Sequence, residues 1–188
     1  MSAALLAKLT AKGLIIDGTP MGGGLVEISQ SDVAGSLGNG DSDRRLSTEA
    51  YKYGLAKWCG DTTYVRELQH WLPAWVWGEF NNVHGKKVSV QESVGMATIA
   101  LLQGLGGYNC PTCLGSCEYR YKVCPGCNGT GKGAMRKTQK AILVNKSPQA
   151  YGKTWDQRVR VVEALVQGWE QEGISYLYRQ WADFEVAV

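Results

Sequence analysis

Two Cys-x-x-Cys pairs, Cys110-Pro-Thr-Cys113 and Cys124-Pro-Gly-Cys127, stand ten residues apart in this 188-residue chain. Each pair places two thiolates on one tight turn, and two such turns together supply the four sulfurs of a tetrahedral zinc site. The expected cofactor is therefore one Zn2+ per chain, held by Cys110, Cys113, Cys124 and Cys127. A pair of redox-active or simply buried cysteines is the plainer alternative that this spacing argues against. With all four positions filled by sulfur, such a site has no open coordination position. It folds a loop and presents a surface, without catalysing. The second pair continues as Cys127-Asn-Gly129-Thr-Gly131, where glycines let amides turn toward the metal-bound sulfurs. The first keeps one glycine, Gly115, and has Cys117 in place of the next. Cys117 is either a spare thiol or a competitor for a ligand position. Its spacing from Cys113 lacks the paired-knuckle pattern and favours the spare.

Charge gathers around these cysteines. Residues 109–160 hold ten basic side chains against Glu118 and Asp156, a net +8, so the rest of the chain carries −5 of the total +3. Zinc bound to four thiolates takes back about two of those charges, and the segment stays positive, which suits a phosphate backbone. We expect DNA contacts from Arg120, Lys122, Lys132, Arg136, Lys137, Lys140 and Lys153. A solvated basic face is the alternative reading of the same run. Residues 161–188 are acidic. His70 and His84 are the two histidines; neither has a nucleophile or carboxylate in a recognisable arrangement, and we expect no catalysis. Four of six cysteines in metal spacing suit a reducing compartment. No apolar run reaches the length of a membrane span, and the opening residues lack the pattern of a secretory signal.

The elements that must position these groups read as helices. Residues 1–42 are Gly- and Ser-rich; despite the apolar pieces Leu14-Ile15-Ile16 and Leu25-Val26-Glu27-Ile28, we read them as a flexible arm. Residues 43–108 form the N-terminal helices of the core. Ser47 caps the first, with Tyr51, Leu55, Trp58 and Cys59 on its inner face. Gly60-Asp61 ends it and caps the second, where Val65, Leu68, Leu72 and Trp75 recur and Pro73 predicts a kink or a new start. Ser89 opens the third, with Glu92 in the capping-box position and Val90, Val94, Ala97 and Leu101 as its stripe. Residues 109–132 are the zinc loop, and residues 133–188 the C-terminal helices. There a basic helix over 134–144 precedes the Ser147-Pro148 turn. A long helix then carries Trp155, Val159, Val162, Val166 and Trp169, and Gly173 separates it from a last one bearing Ile174, Leu177, Tyr178, Trp181 and Phe184. The expected class is mainly α, a helical domain with an inserted four-cysteine zinc loop and a helix-turn-helix-like element. That element pairs residues 135–143 with a recognition helix opening at Thr154, whose Gln157, Arg158 and Arg160 would read bases in a major groove. An ordinary helical hairpin is its alternative.

The knuckles also resemble the cysteine-rich region of DnaJ co-chaperones. That family uses four knuckles for two zinc ions, whereas this chain has two and no J-type His-Pro-Asp tripeptide. A zinc-containing protein-interaction module without DNA binding is the corresponding alternative function. A broader likeness covers residues 44–180: Tyr53-Gly54-Leu55-Ala56-Lys57-Trp58-Cys59-Gly60 ending a helix, two more helices, paired knuckles, and Thr154-Trp155-x-x-x-Val159. In this order the chain resembles the late-gene antitermination protein Q family of lambda-like phages. Cys117 departs from that pattern, and the Gly-rich arm has no counterpart. The resemblance implies a factor acting in the cytoplasm of the bacterial host. Such a factor binds double-stranded DNA at a late promoter and a paused RNA polymerase, through the β flap and the C-terminal region of sigma. It then makes the enzyme read through terminators. The acidic last helix and the Trp71/Trp75/Trp77 helix are the candidate polymerase-facing surfaces.

Overall fold

The computed structural model describes residues 29–42, 45–107, 110, 112–113, 116–127, 129 and 131–185, with the side chains of 41–42, 119 and 181–185 excepted. The two apolar pieces of the N-terminal arm and the side chains of Trp181 and Phe184 lie outside the described residues. The protein is mainly helical. Its elements are α1 (Gln30–Ser42), α2 (Thr48–Trp58), α3 (Thr62–Gly78), α4 (Val90–Gly104), a hairpin of β1 (Glu118–Tyr119) and β2 (Lys122–Val123), α5 (Lys137–Leu143), α6 (Pro148–Ala150) and α7 (Asp156–Glu185). It divides into two compact units, residues 1–65 with 168–188, and residues 66–167. No helix among the described residues is long and apolar enough to cross a membrane.

In the first unit, α1 corrects the reading of residues 30–42 as flexible. Ser29 and Asp32 cap it reciprocally: the Ser29 amide donates to Asp32 Oδ2 at 2.8 Å and the Asp32 amide donates to Ser29 Oγ at 3.2 Å. Val33 and Leu37 are fully buried, and Gly40 lies under the ring of Tyr176. The i, i+4, i+7 spacing of these three gives a Gly-rich segment a helical inner face. Helix α2 starts on Ser47 as the sequence predicts, with its Oγ accepting from the Ala50 amide at 3.2 Å. A residue 125 positions away completes the cap: Glu172 accepts from the Ser47 amide at 2.6 Å and from its hydroxyl at 2.8 Å. Two residues earlier on α7, Glu170 accepts from Lys57 Nζ at 2.7 Å and from the Tyr53 hydroxyl at 3.2 Å. Burial first, then the adjacent Glu170 carboxylate, pushes the Tyr53 hydroxyl pKa far above its ordinary range.

Gly173 does not interrupt α7, which runs unbroken from Asp156 to Glu185. Trp155, Val159, Val162, Val166, Trp169 and Tyr176 are all buried, and Gly173 occupies the heptad-like place between the last two. A Cβ there would come within 2.7 Å of the Trp58 ring. The glycine lets the indole lie across the helix.

In the second unit, α3 continues through Pro73 with no new start. A π-helical turn, Glu79–Val83, follows, and Asn81 ties it to the segment before α4: Nδ2 donates to the carbonyls of Trp77 and Val88, and Oδ1 accepts from the Val88 amide at 3.2 Å. Helix α4 opens with the expected Ser89–Glu92 capping box. Its buried face corrects the stripe read from sequence. Val90 and Val94 are exposed, whereas Met96, Ala97, Ile99, Ala100 and Leu101 are buried. The face is set by Gly95, where a Cβ would overlap the Leu143 carbonyl and stand 2.6 Å from its carbon. Because that obstacle is backbone, Gly95→Ala should cost about 1–3 kcal/mol by overpacking. Gly168, on the open side of α7, meets nothing within 4 Å; Gly168→Ala should gain about 0.5–1 kcal/mol of helix propensity. Urea unfolding of the two variants checks the opposite signs.

Helix α5 ends at Asn145, whose φ of +53° and the Lys146 amide donating to the Ala141 carbonyl at 2.9 Å reverse the chain. Ser147 then caps a new helix with Pro148 at its first position, and its Oγ accepts from the Ala150 amide at 3.2 Å. Through the π-helical turn Tyr151–Trp155 this helix passes directly into α7. The helix expected to open at Thr154 therefore opens six residues earlier, because Ser147-Pro148 is a start signal and not merely a turn.

Candidate metal centre

The loop between α4 and α5 is closed at its base by the Cys110 amide donating to the Gly131 carbonyl at 2.9 Å. Inside it, the sulfurs of Cys110 and Cys124 lie 3.9 Å apart and those of Cys113 and Cys127 3.7 Å apart, with all four within 4.8 Å of one another. A tetrahedron of sulfurs about 2.3 Å from a central ion has edges of roughly 3.8 Å. The four cysteines are thus placed to hold a metal ion, and Cys117 lies outside the cluster.

Close approach of the two knuckles needs Gly126: a Cβ there would stand 2.7 Å from Thr112 Oγ1 and 3.3 Å from Cys110 Sγ. Backbone amides point at the sulfurs, as the glycine pattern predicts. The Gly131 amide donates to Cys127 Sγ at 3.3 Å. Amides of Cys113 and Thr112 draw the Cys110 thiol down to about 6. Burial, opposed by the Gly126 amide, pushes Cys124 up to about 11. Donors aimed at sulfur stabilise thiolate, the form that a metal binds.

Between the knuckles, Glu118 pairs with Val123 and Tyr119 with Lys122, which leaves Arg120-Tyr121 as a two-residue turn. Their φ angles are +52° and +61°, and Cys117 sits at +68°. The left-handed region costs an L-residue about 1–2 kcal/mol, and such turns favour Asn-Gly. Nothing in the sequence reading anticipated this hairpin; the spacing of exactly complementary strands is too short to show an alternation.

The basic residues are distributed unevenly. Arg120 and Lys122 are on the hairpin, Lys132 follows the second knuckle, and Arg136 and Lys137 begin α5, all exposed. Lys140 is instead half-buried in an ion pair with Glu163 at 2.7 Å. Lys153 and Gln157 are exposed. Arg160 is exposed and pairs with Asp156 one turn back at 2.8 Å. Arg158 folds inward: its guanidinium stacks 4.6 Å from the Trp155 ring and donates to the Lys87 carbonyl at 3.3 Å. Of the histidines, His70 is exposed, and His84 lies 3.4 Å from Glu79 and against Phe80. Gln149 stands in the first turn of the helix that Ser147 caps. Gln149, Lys153, Gln157 and Arg160 follow one another at helical spacing on exposed positions.

Comparison of the chain with family models, curated proteins and solved structures found no match.

Proposed function

We propose that the four sulfurs hold one structural Zn2+ and that the chain is a DNA-binding transcription antitermination factor of phage type. The four-sulfur cluster carries the reading, because it lies inside the segment where the positive charge is concentrated. All-thiolate donors at tetrahedral spacing suit zinc, and the closed set makes the ion a fold-forming element. The order of knuckles and the Trp155 helix, which resembles the Q family, supplies the late promoter and the paused bacterial RNA polymerase as partners.

The helix-turn-helix reading is kept with a new start. Helix α5, a four-residue connection with left-handed Asn145, and a helix capped by Ser147 follow the pattern of that motif, in which early residues of the second helix meet base edges. Gln149, Lys153, Gln157 and Arg160 then form the reading face. Arg158 is a packing residue behind it, and Arg160 leaves a surface ion pair that costs little to open. Lys132, Arg136 and Lys137 bind phosphates.

Fluorescence anisotropy on late-promoter duplex from the genome encoding this chain, and on a scrambled duplex, tests this. Gln149→Ala or Gln157→Ala should weaken cognate binding by about 1–3 kcal/mol and scrambled binding much less. Lys132→Gln or Arg136→Gln should weaken both alike and lower the salt slope by about one unit. A chain that takes up zinc yet binds neither duplex would leave the protein-interaction reading in its place. Terminator read-through on a late-promoter template should fall in proportion to cognate binding.

A further inference from the structure

The hairpin between the knuckles ends in an unusual tip. Two-residue turns with positive φ at both central positions select glycine or asparagine, yet here the positions hold Arg120 and Tyr121. The Tyr121 side chain gains no packing in return: its exposure is 101%, that of a free side chain. Its neighbours Arg120 and Lys122 are both exposed cations. Val123 in β2 is also largely exposed. The zinc-knuckle scaffold holds the turn from both ends, through the Cys124 amide donating to the Cys117 carbonyl at 3.0 Å.

We propose that Tyr121 is a stacking contact for an unpaired nucleobase, with Arg120 and Lys122 on the phosphates beside it. The proposal rests on the nucleic-acid reading above and adds that the strand is unpaired where the tip touches it. An exposed aromatic ring between cations matches single-strand recognition, in which every base offers a π-face and the backbone supplies the charge. A duplex hides those faces inside its stack and offers edges and phosphates instead. A protein partner would favour an anchor ringed by water-excluding neighbours, and none surrounds Tyr121 among the described residues. A paused transcription complex contains unpaired DNA and RNA, so the tip fits an element that engages the open part of that assembly.

The test uses the full zinc-loaded chain with short single-stranded DNA, the matching RNA, and the blunt duplex, each in a labelled form and in one carrying 2-aminopurine. Stacking on the tip should quench 2-aminopurine in the single strands, and the DNA and RNA arms identify which strand is preferred. Tyr121→Ala should weaken single-strand binding on the order of tenfold, the usual worth of one stacked base, and leave duplex binding in place. Tyr121→Trp should retain it. Tyr121→Gly removes the ring while relaxing a positive-φ position, so a loss in that variant, with zinc content unchanged, cannot come from misfolding. Unchanged single-strand affinity in Tyr121→Gly, or an equal loss on single strand and duplex, would overturn the proposal. Single-strand binding that depends on Tyr121 in a chain that ignores late-promoter duplex would sink the promoter reading and leave this contact standing.

Discussion

Cys110→Ser or Cys127→Ser should empty the metal centre and unfold residues 110–131, whereas Cys117→Ser should leave both metal and loop intact. The four sulfurs of the cluster are mutually within 4.8 Å and Cys117 is not among them, so its removal takes away no ligand. Among the described residues, the loop's regular structure amounts to two strands of two residues each. The apolar side of the loop is the cysteine cluster itself, with Cys110, Cys113 and Cys124 buried and Cys127 packed against them. Binding free energies for such structural sites are on the order of 10–16 kcal/mol, far more than two short strands contribute. Inductively coupled plasma analysis of the purified variants reads the metal, and amide exchange over the loop reads the fold. A Cys117→Ser protein that arrives without zinc would reverse the ligand assignment.

The same centre should lose its metal as pH falls, since protons compete for every sulfur. The competition is uneven. Cys110, drawn down to about 6 by the amides of Cys113 and Thr112, is thiolate near neutral pH before any metal arrives. Cys124, pushed up to about 11 mainly by its burial, must surrender its proton on binding. A proton competes with the metal for each sulfur below that thiol's own pKa, so affinity already falls as pH drops through the range of Cys124 and falls more steeply once Cys110 is protonated as well. Zinc uptake in weakly buffered solution near neutral pH should accordingly release protons. Metal retention independent of pH down to the acidic range would contradict thiolate ligation.

Trp155→Ala should destabilise the second unit by about 3–5 kcal/mol, the usual cost of truncating a buried aromatic. The indole is only 8% exposed and is enclosed by cations, with Lys146 Nζ 4.9 Å and the Arg158 guanidinium 4.6 Å from its ring. Lys146 also pairs with Glu92 on α4, so the ring sits where the α5–α6 connection, α4 and the start of α7 meet. Trp155→Phe should cost clearly less, because a smaller cavity forms and a π-face remains for both cations. Lys146→Met, which removes only a partly exposed pair and one cation–π contact, should cost about 1 kcal/mol or less. Urea unfolding, with the transition of the second unit followed separately because two units need not unfold together, orders the three. A Trp155→Ala loss below that of Lys146→Met would mean that this side chain does not anchor the segment.

Local chemistry was the legible part of this protein. Cysteine spacing identifies the four sulfurs that cluster, because a Cys-x-x-Cys turn brings its two sulfurs together whatever surrounds it. Ser47, Asp61 and Ser89 announce helix starts because caps act within a single turn. The stripe from Trp155 to Trp169 is readable because one face of one helix repeats at 3.6 residues. The Ser29-Gln30-Ser31-Asp32 box was as local as these and announces α1 equally well, but the glycines after it pointed the other way.

Tertiary structure decided what glycines and charges do, since their roles depend on a partner distant in sequence. Gly173 reads as a break on its own and becomes a seat for Trp58 only when α2 lies against α7. Gly95 selects the inner face of α4 because Leu143 crosses it, and that moves Val90 and Val94 from the expected core to the surface. Arg158, Lys140 and Arg160 look alike as basic residues on helices, yet one stacks on Trp155, one is held by Glu163, and one stands 74% exposed beside Asp156. Sequence thus determines which residues can ligate metal and where a helix can begin. Packing determines which cations remain on a surface, because burying a long charged side chain needs a counter-charge or an aromatic face, and only the fold brings those to it.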